Sequence, residues 1–208
     1  MTGEGALDQD RPGTDDIIAL HGRALASAGA LVGRVRAEQM NAPTPCEGWD
    51  VRALLAHLVG GNRRYAALAQ GGTPLRRDHG PGTSRPTPDE ILGPDPTGAY
   101  RESAEELREA WRAPDRLDQL YDLPFGRLPG RSALAIHLLE TVAHGWDLAR
   151  ATGQEPQFDP EVVQAAWSVA RRSLSGDRPS GSPFAPAVEP AEGATEIDRL
   201  AAFLGRRS

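Results

Sequence analysis

The residues best placed for chemistry lie in one helix-forming stretch, RSALAIHLLETVAHGWDLARAT, residues 131–152. His137, Glu140 and His144 occur there at i, i+3 and i+7. At ~100° of rotation per residue they fall within ~60° of one another and form a single stripe. Around them, Leu134, Ile136, Leu138, Leu139, Val142, Trp146 and Leu148 point in nearly every direction, as expected for a buried helix. A carboxylate in such surroundings is costly unless it is compensated. Three compensations are open: a Glu–His⁺ pair, an Arg from another helix, or a divalent metal. Imidazole nitrogen and carboxylate oxygen are ordinary ligands for such a metal.

Familiar metal-binding spacings are absent. No His-Glu-x-x-His occurs, Thr141 follows Glu140 where His-x-x-Glu-His would need a second His, and there is no pair of Glu-x-x-His helices. Glu140 and His144, one turn apart, therefore need a third donor from elsewhere. His79 sits in a Pro/Gly-rich stretch and reads as a surface residue. His21, in the second turn of a first helix beside Gly22, reads as solvated or packed at the edge of a bundle. His57, at the margin of an apolar helix face one turn after Leu54, is the best third donor.

Proline marks out the elements that position these groups. Eighteen Pro leave long Pro-free windows rich in Ala, Leu, Arg and Glu, and Pro costs ~3 kcal/mol in a helix interior. One helix follows Thr14, with Ile17, Ala24, Ala28, Leu31 and Val35 on one face. A second begins at an Asp50 N-cap, carries Val51, Leu54, Leu55, Leu58, Asn62 and Tyr65 on one face, and ends at Gly71-Gly72. Residues 73–96 read as a long surface loop. A third, amphipathic helix covers about 97–113, followed by an irregular connector with a short extended piece around 123–128. The fourth is the stretch at 131–152. A fifth runs from Asp159-Pro160 to about 175, with Pro at the first helical position, and a short helix over 195–205 closes the sequence. Strand formers are sparse. The fold class is therefore all-α: an antiparallel four-helix bundle with additional C-terminal helices. Residues 1–13 read as a disordered tail and 14–208 as a single domain.

Composition removes whole function classes. All 23 basic residues are Arg, so no lysine is available for a phosphate-binding loop or a Schiff base. One Cys, Cys46, excludes an intramolecular disulfide, a Cys-x-x-Cys redox pair and a Cys-only metal cluster within one chain. A formal net charge of −6 argues against a nucleic-acid partner. No apolar run approaches the ~20 residues that span a bilayer. The acidic, polar start is unlike a signal peptide, so a cytoplasmic location without membrane association is expected. Cys46 reads as a small residue packing a loop, Trp49 and Trp146 as core or pocket walls, Asp50 and Asp147 as caps or pairs. Arg64 and Arg150 are candidates for carboxylate binding by position.

The segment Thr44-Pro-Cys-Glu-Gly-Trp-Asp-Val-Arg-Ala-Leu-Leu-Ala-His57-Leu-Val-Gly-Gly-Asn62 resembles the metal-ligand helix of DinB-like bundles. The branch it resembles is that of the mycothiol-dependent maleylpyruvate isomerase N-terminal domains. Leu139-Glu140-Thr-Val-Ala-His144-Gly-Trp-Asp-Leu-Ala-Arg-Ala-Thr-Gly153 is similar to that branch's second ligand helix, and residues 199–206 to the closing helix of its small single-domain members. The resemblance implies one divalent metal, most often zinc, with nickel or another ion as alternatives. His57, Glu140 and His144 would be its ligands, with His137 supporting them from behind. It also implies a small-molecule thiol such as mycothiol as co-substrate. The isomerase that names the branch has an additional C-terminal domain, whereas this sequence ends soon after the bundle, so its own reaction is not assumed. Three protein ligands leave a tetrahedral ion one open position, which suits activation of a thiol towards an electrophilic substrate. The expected function is a metal- and thiol-dependent S-transferase or isomerase. The alternative is a non-catalytic metal-binding bundle in stress response, metal handling or partner binding. A homodimer is compatible with either.

Overall fold

The computed structural model describes residues 14–72, 86–124, 126–174, 178 and 184–207, and the structural statements below concern these. The described chain is all-α apart from one small hairpin. The helices are α1 (Thr14–Val32), α2 (Val51–Ala69), α3 (Pro88–Leu92), α4 (Pro96–Ala110), α5 (Gly130–Thr152), α6 (Pro160–Ser173) and α7 (Glu196–Phe203). Strands β1 (Leu120–Leu123) and β2 (Gly126–Pro129) pair antiparallel, with Tyr121 opposite Leu128.

Four long helices, α1, α2, α4 and α5, make the core. α1 packs chiefly on α5 and α2 chiefly on α4, with further contacts between α2 and α5 and between α1 and α4. α6 covers α5 and α1, and α7 closes on α5 and α6. These added C-terminal helices explain why α5 is apolar all round. It meets neighbours on every side, and all nine residues from Thr141 to Ala149 are buried. The third sequence-predicted helix is α4, whose Glu102, Glu105, Glu106 and Glu109 face solvent while Tyr100, Ser103 and Leu107 are buried. Asn62 on α2 donates to Ser103 Oγ at 3.0 Å, so the polar member of that apolar face ties α2 to α4.

Two expectations need correction. The stretch 73–96 is not loop throughout, because α3 lies within it. Thr87 caps Glu90 N while the Glu90 carboxylate returns to Thr87 N at 2.7 Å, and Pro88 takes the first helical position. That reciprocal cap satisfies donors a single-turn helix would otherwise expose. The extended piece predicted at 123–128 is longer, a hairpin spanning Leu120–Pro129. Its end leads directly into α5 at Gly130, where a Cβ would collide with the Arg116 carbonyl and the Trp111 and Tyr121 rings. Residues 1–13, read as a tail, and His79 lie outside the described residues.

Candidate metal centre

The loop before α2 sets up one wall of the site. Pro43 bridges to Asp50, Thr44 Oγ1 donates to the Trp49 carbonyl at 2.9 Å, and Gly48 turns the chain at φ 79°. Asp50 then caps α2, accepting from Ala53 N at 2.8 Å. This tight loop places Trp49 and Cys46 against the first turns of α2 and the middle of α5.

His57, on α2, and His144, on α5, are brought together, with ring centroids 4.7 Å apart in an edge-on arrangement. The Trp49 ring lies across both, 4.6 Å from His57 and 5.8 Å from His144. Glu140 stands one turn before His144 on the same stripe and is half-buried. It also acts on Tyr65 of α2. Burial raises the Tyr65 phenol far above its ordinary pKa, the Glu140 charge adds to that, and Arg64 opposes it. The three sequence-predicted donors thus come from the two helices the sequence assigned them to.

His144 is held from behind. Its Nδ1 lies 3.0 Å from Asp147 Oδ2, and Asp147 is 0 % exposed. Arg206, from the turn after α7, faces the same carboxylate with Nε at 3.3 Å and Nη2 at 3.2 Å. Burial pushes the Asp147 carboxyl up, but the bond to His144 and the Arg206 charge outweigh it and hold it below its usual range. An ionised carboxylate only accepts, so Nδ1 is the donor in this bond. A ring nitrogen backed by a carboxylate in this way is the usual preparation of a metal-binding His. The donor chemistry therefore fits a divalent ion: two imidazoles and one carboxylate, one imidazole already in the required tautomer.

Cys46 Sγ, a His144 ring nitrogen and an Asp147 oxygen all lie within 4.8 Å of one another. The half-buried thiol is pushed up by burial, with the Arg206 charge opposing and Asp147 reinforcing. Cys46 thus lies beside His144 and Asp147 as well as in its loop. The sequence reading also missed Arg206, although His144 and Asp147 at i, i+3 signal a one-turn pair.

His137 and His21 form a second polar cluster. His21 is 3 % exposed, which corrects its reading as solvated or edge-packed, and its Nε2 is 2.9 Å from His137 Nδ1. The Tyr65 ring covers His137 at 4.4 Å. Burial lowers His21 to about 3 and puts His137 well below its ordinary value. The charges of His21, Arg64, His57 and His144 act on His137 in the same direction. His137 Nε2 and an Arg64 Nη share the space above Gly61, where a Cβ would stand 3.7 and 3.8 Å from them. Arg64 thus brings positive charge to this end of the stripe. Arg150 lies elsewhere: it pairs with Asp198 at 2.5 Å, over the buried Trp146 ring, and both line a cleft of about 820 Å³ beside α7.

No described helix is long and apolar enough to cross a membrane. No solved structure matches the chain. Two uncharacterised proteins of Mycobacterium tuberculosis, from strains CDC 1551 / Oshkosh and ATCC 25618 / H37Rv, are each 32% identical over 192 residues, covering 92% of this chain and 98% of theirs. The sequence model of the mycothiol maleylpyruvate isomerase N-terminal domain matches residues 21–149, a span that holds α2, most of α5 and all three candidate donors. The chain belongs to the mycothiol maleylpyruvate isomerase N-terminal domain family, whose fold is DinB-like.

Proposed function

We propose that the chain holds one divalent ion, zinc, on His57, Glu140 and His144, and that the centre serves a thiol-dependent S-transferase or isomerase. The co-substrate is a small-molecule thiol of the mycothiol type. Family membership implies a mycothiol-related, metal-binding role. The observation that carries the finer reading is the meeting of His57 and His144 at 4.7 Å, with His144 backed by Asp147. When bound, the ion supplies positive charge that lowers a thiol's pKa from ~8.5 and favours its thiolate at neutral pH.

The chain's own residues set the conditions. Two neutral imidazoles and one carboxylate leave a divalent ion with a charge of +1, which a thiolate neutralises. Trp49 shields both imidazoles from water on the loop side. Asp147 holds His144 in the ligand tautomer. Arg64 adds positive charge at the His137 end, a suitable place to hold the acidic group of an electrophile. Transfer forms a bond between the thiol sulfur and an electrophilic carbon and gives the thiol proton to solvent. The electron pair displaced from that carbon departs with the leaving group or, in addition to an unsaturated carbon, moves to the neighbouring atom, which takes up a proton from solvent.

One observation favours a second reading, a non-catalytic metal-binding bundle. Cys46 Sγ lies close enough to His144 to add a fourth protein donor and close the open position. Metal analysis of the purified protein, followed by incubation with a thiol and a fluorogenic electrophile, separates the two. Conjugation that disappears in His144→Ala and persists in Cys46→Ser supports the transferase. Bound metal without conjugation, released more readily by Cys46→Ser, supports the closed site. A protein that takes up neither zinc nor nickel refutes both.

A further inference from the structure

We infer that Asp147 and Arg206 are a positioning pair for the metal centre, in which Arg206, delivered by the turn after α7, fixes the carboxylate that sets the His144 tautomer. This rests on the metal reading above and extends the centre to a residue outside the two ligand helices.

Arg is seldom buried, yet Arg206 is 7 % exposed. Its Nε and Nη2 meet the two oxygens of Asp147 side-on, its Nη1 donates to the Leu204 carbonyl at 3.2 Å, and its guanidinium lies 5.3 Å from the centre of the Phe184 ring. The backbone is shaped for this insertion. Gly205 sits at φ +84°, Gly205 N donates to the Ala202 carbonyl and Arg206 N to the Ala201 carbonyl, each at 2.9 Å. This is the paired closure of a helix that ends on a left-handed glycine. A Cβ at Gly205 would lie 2.7 Å from Ala185. The turn therefore drives Arg206 inward.

The chemical consequence falls on His144. A neutral imidazole offers one lone pair, and the partner of Nδ1 decides which nitrogen has it. Asp147, aligned by Arg206, accepts from Nδ1 and leaves Nε2 to the metal. Losing a partner of this kind typically costs 10–100-fold in metal affinity.

The test uses the full chain, zinc in competition with a chromophoric chelator, and the ¹⁵N shifts of the His144 ring in metal-free protein. Asp147→Asn is nearly isosteric, so the fold is expected to persist. Its amide oxygen remains with Arg206 while its NH₂ turns to Nδ1, which reverses the tautomer. The expected result is a protonated Nε2 and a 10–100-fold loss of zinc affinity with unchanged helical circular dichroism. Arg206→Met keeps the stem over Phe184 and should lose about tenfold. An unchanged tautomer in Asp147→Asn, or zinc binding within twofold of the parent in both variants, overturns the inference and leaves the metal reading standing. If the parent protein takes up no zinc, the metal reading falls. The ring shifts then still decide the pair, because a parent His144 protonated on Nε2 overturns it.

Discussion

His21 and His137 use ring nitrogens on each other in a space where neither is easily charged. Burial holds His21 at about 3, while an unfolded His titrates near 6.5. Between those values the unfolded chain binds the proton and the folded chain does not, so stability rises with pH across that window. It is complete above pH 6.5 and is lost as pH falls, at up to about 1.4 kcal/mol per pH unit for this residue. Urea unfolding at pH 7, 6 and 5 should show that slope, and His21→Asn should flatten it. Equal slopes would remove His21 as the cause. Glu140 and His144 stood out in the sequence because, with His137, they repeat at helical spacing on an apolar background, whereas His57 was singled out by its place at the margin of an apolar face and by the family resemblance. The His21–His137 bond was not, since it joins two helices whose relative rotation no local pattern encodes. Arg206 was hidden for the same reason: in the turn after a short helix and followed by Arg207, it looks like any Arg after a glycine.

At the scale of elements, helix ends carry much of the specification. Asp50 holds the first turn of α2 through Ala53 N. Asp50→Ala is expected to lower stability by about 1 kcal/mol in denaturant titration and to weaken zinc binding. That change also loosens the loop that places Trp49 on His57. Gly205→Ala combines a left-handed backbone with a collision at Ala185. It should cost about 1–3 kcal/mol and reduce zinc affinity together with stability, by displacing Arg206. Loss of stability at unchanged zinc affinity would separate the turn from the centre. The long helices were readable from proline and periodicity. α3 was overlooked although Thr87-Pro-Asp-Glu90 spells its cap, because six prolines over 73–96 dominated the reading. The hairpin was underestimated because β1 alternates exposed and buried residues over only four positions.

For the molecule as a whole, the candidate donors come from two helices whose main packing partners differ. α2 belongs mainly with α4, and α5 with α1 and α6. A metal held between His57 and the α5 stripe would bind only when both helices are docked, so binding energy becomes folding energy. Zinc at 100 times its Kd should add about 2.7 kcal/mol to global stability, a chelator should remove it, and His144→Ala should abolish the difference. Thermal unfolding with and without zinc measures all three. The bundle architecture and the added C-terminal helices both followed from composition and proline placement. Which helices pair most closely did not follow, since that depends on the fit of particular side chains such as Asn62 with Ser103.

The pairing of Asp147 with Arg206 also places an order on events during synthesis. The two residues are 59 positions apart, and the chain grows from the amino end. All four core helices and the three candidate donors are therefore made before the guanidinium that steadies Asp147. At 5–20 residues per second the interval is about 3–12 s. During it, Asp147 is without the cation that meets it in the finished fold. If the site holds zinc, its full affinity would be reached only once the segment after α7 is complete, about tenfold above that of the donors alone.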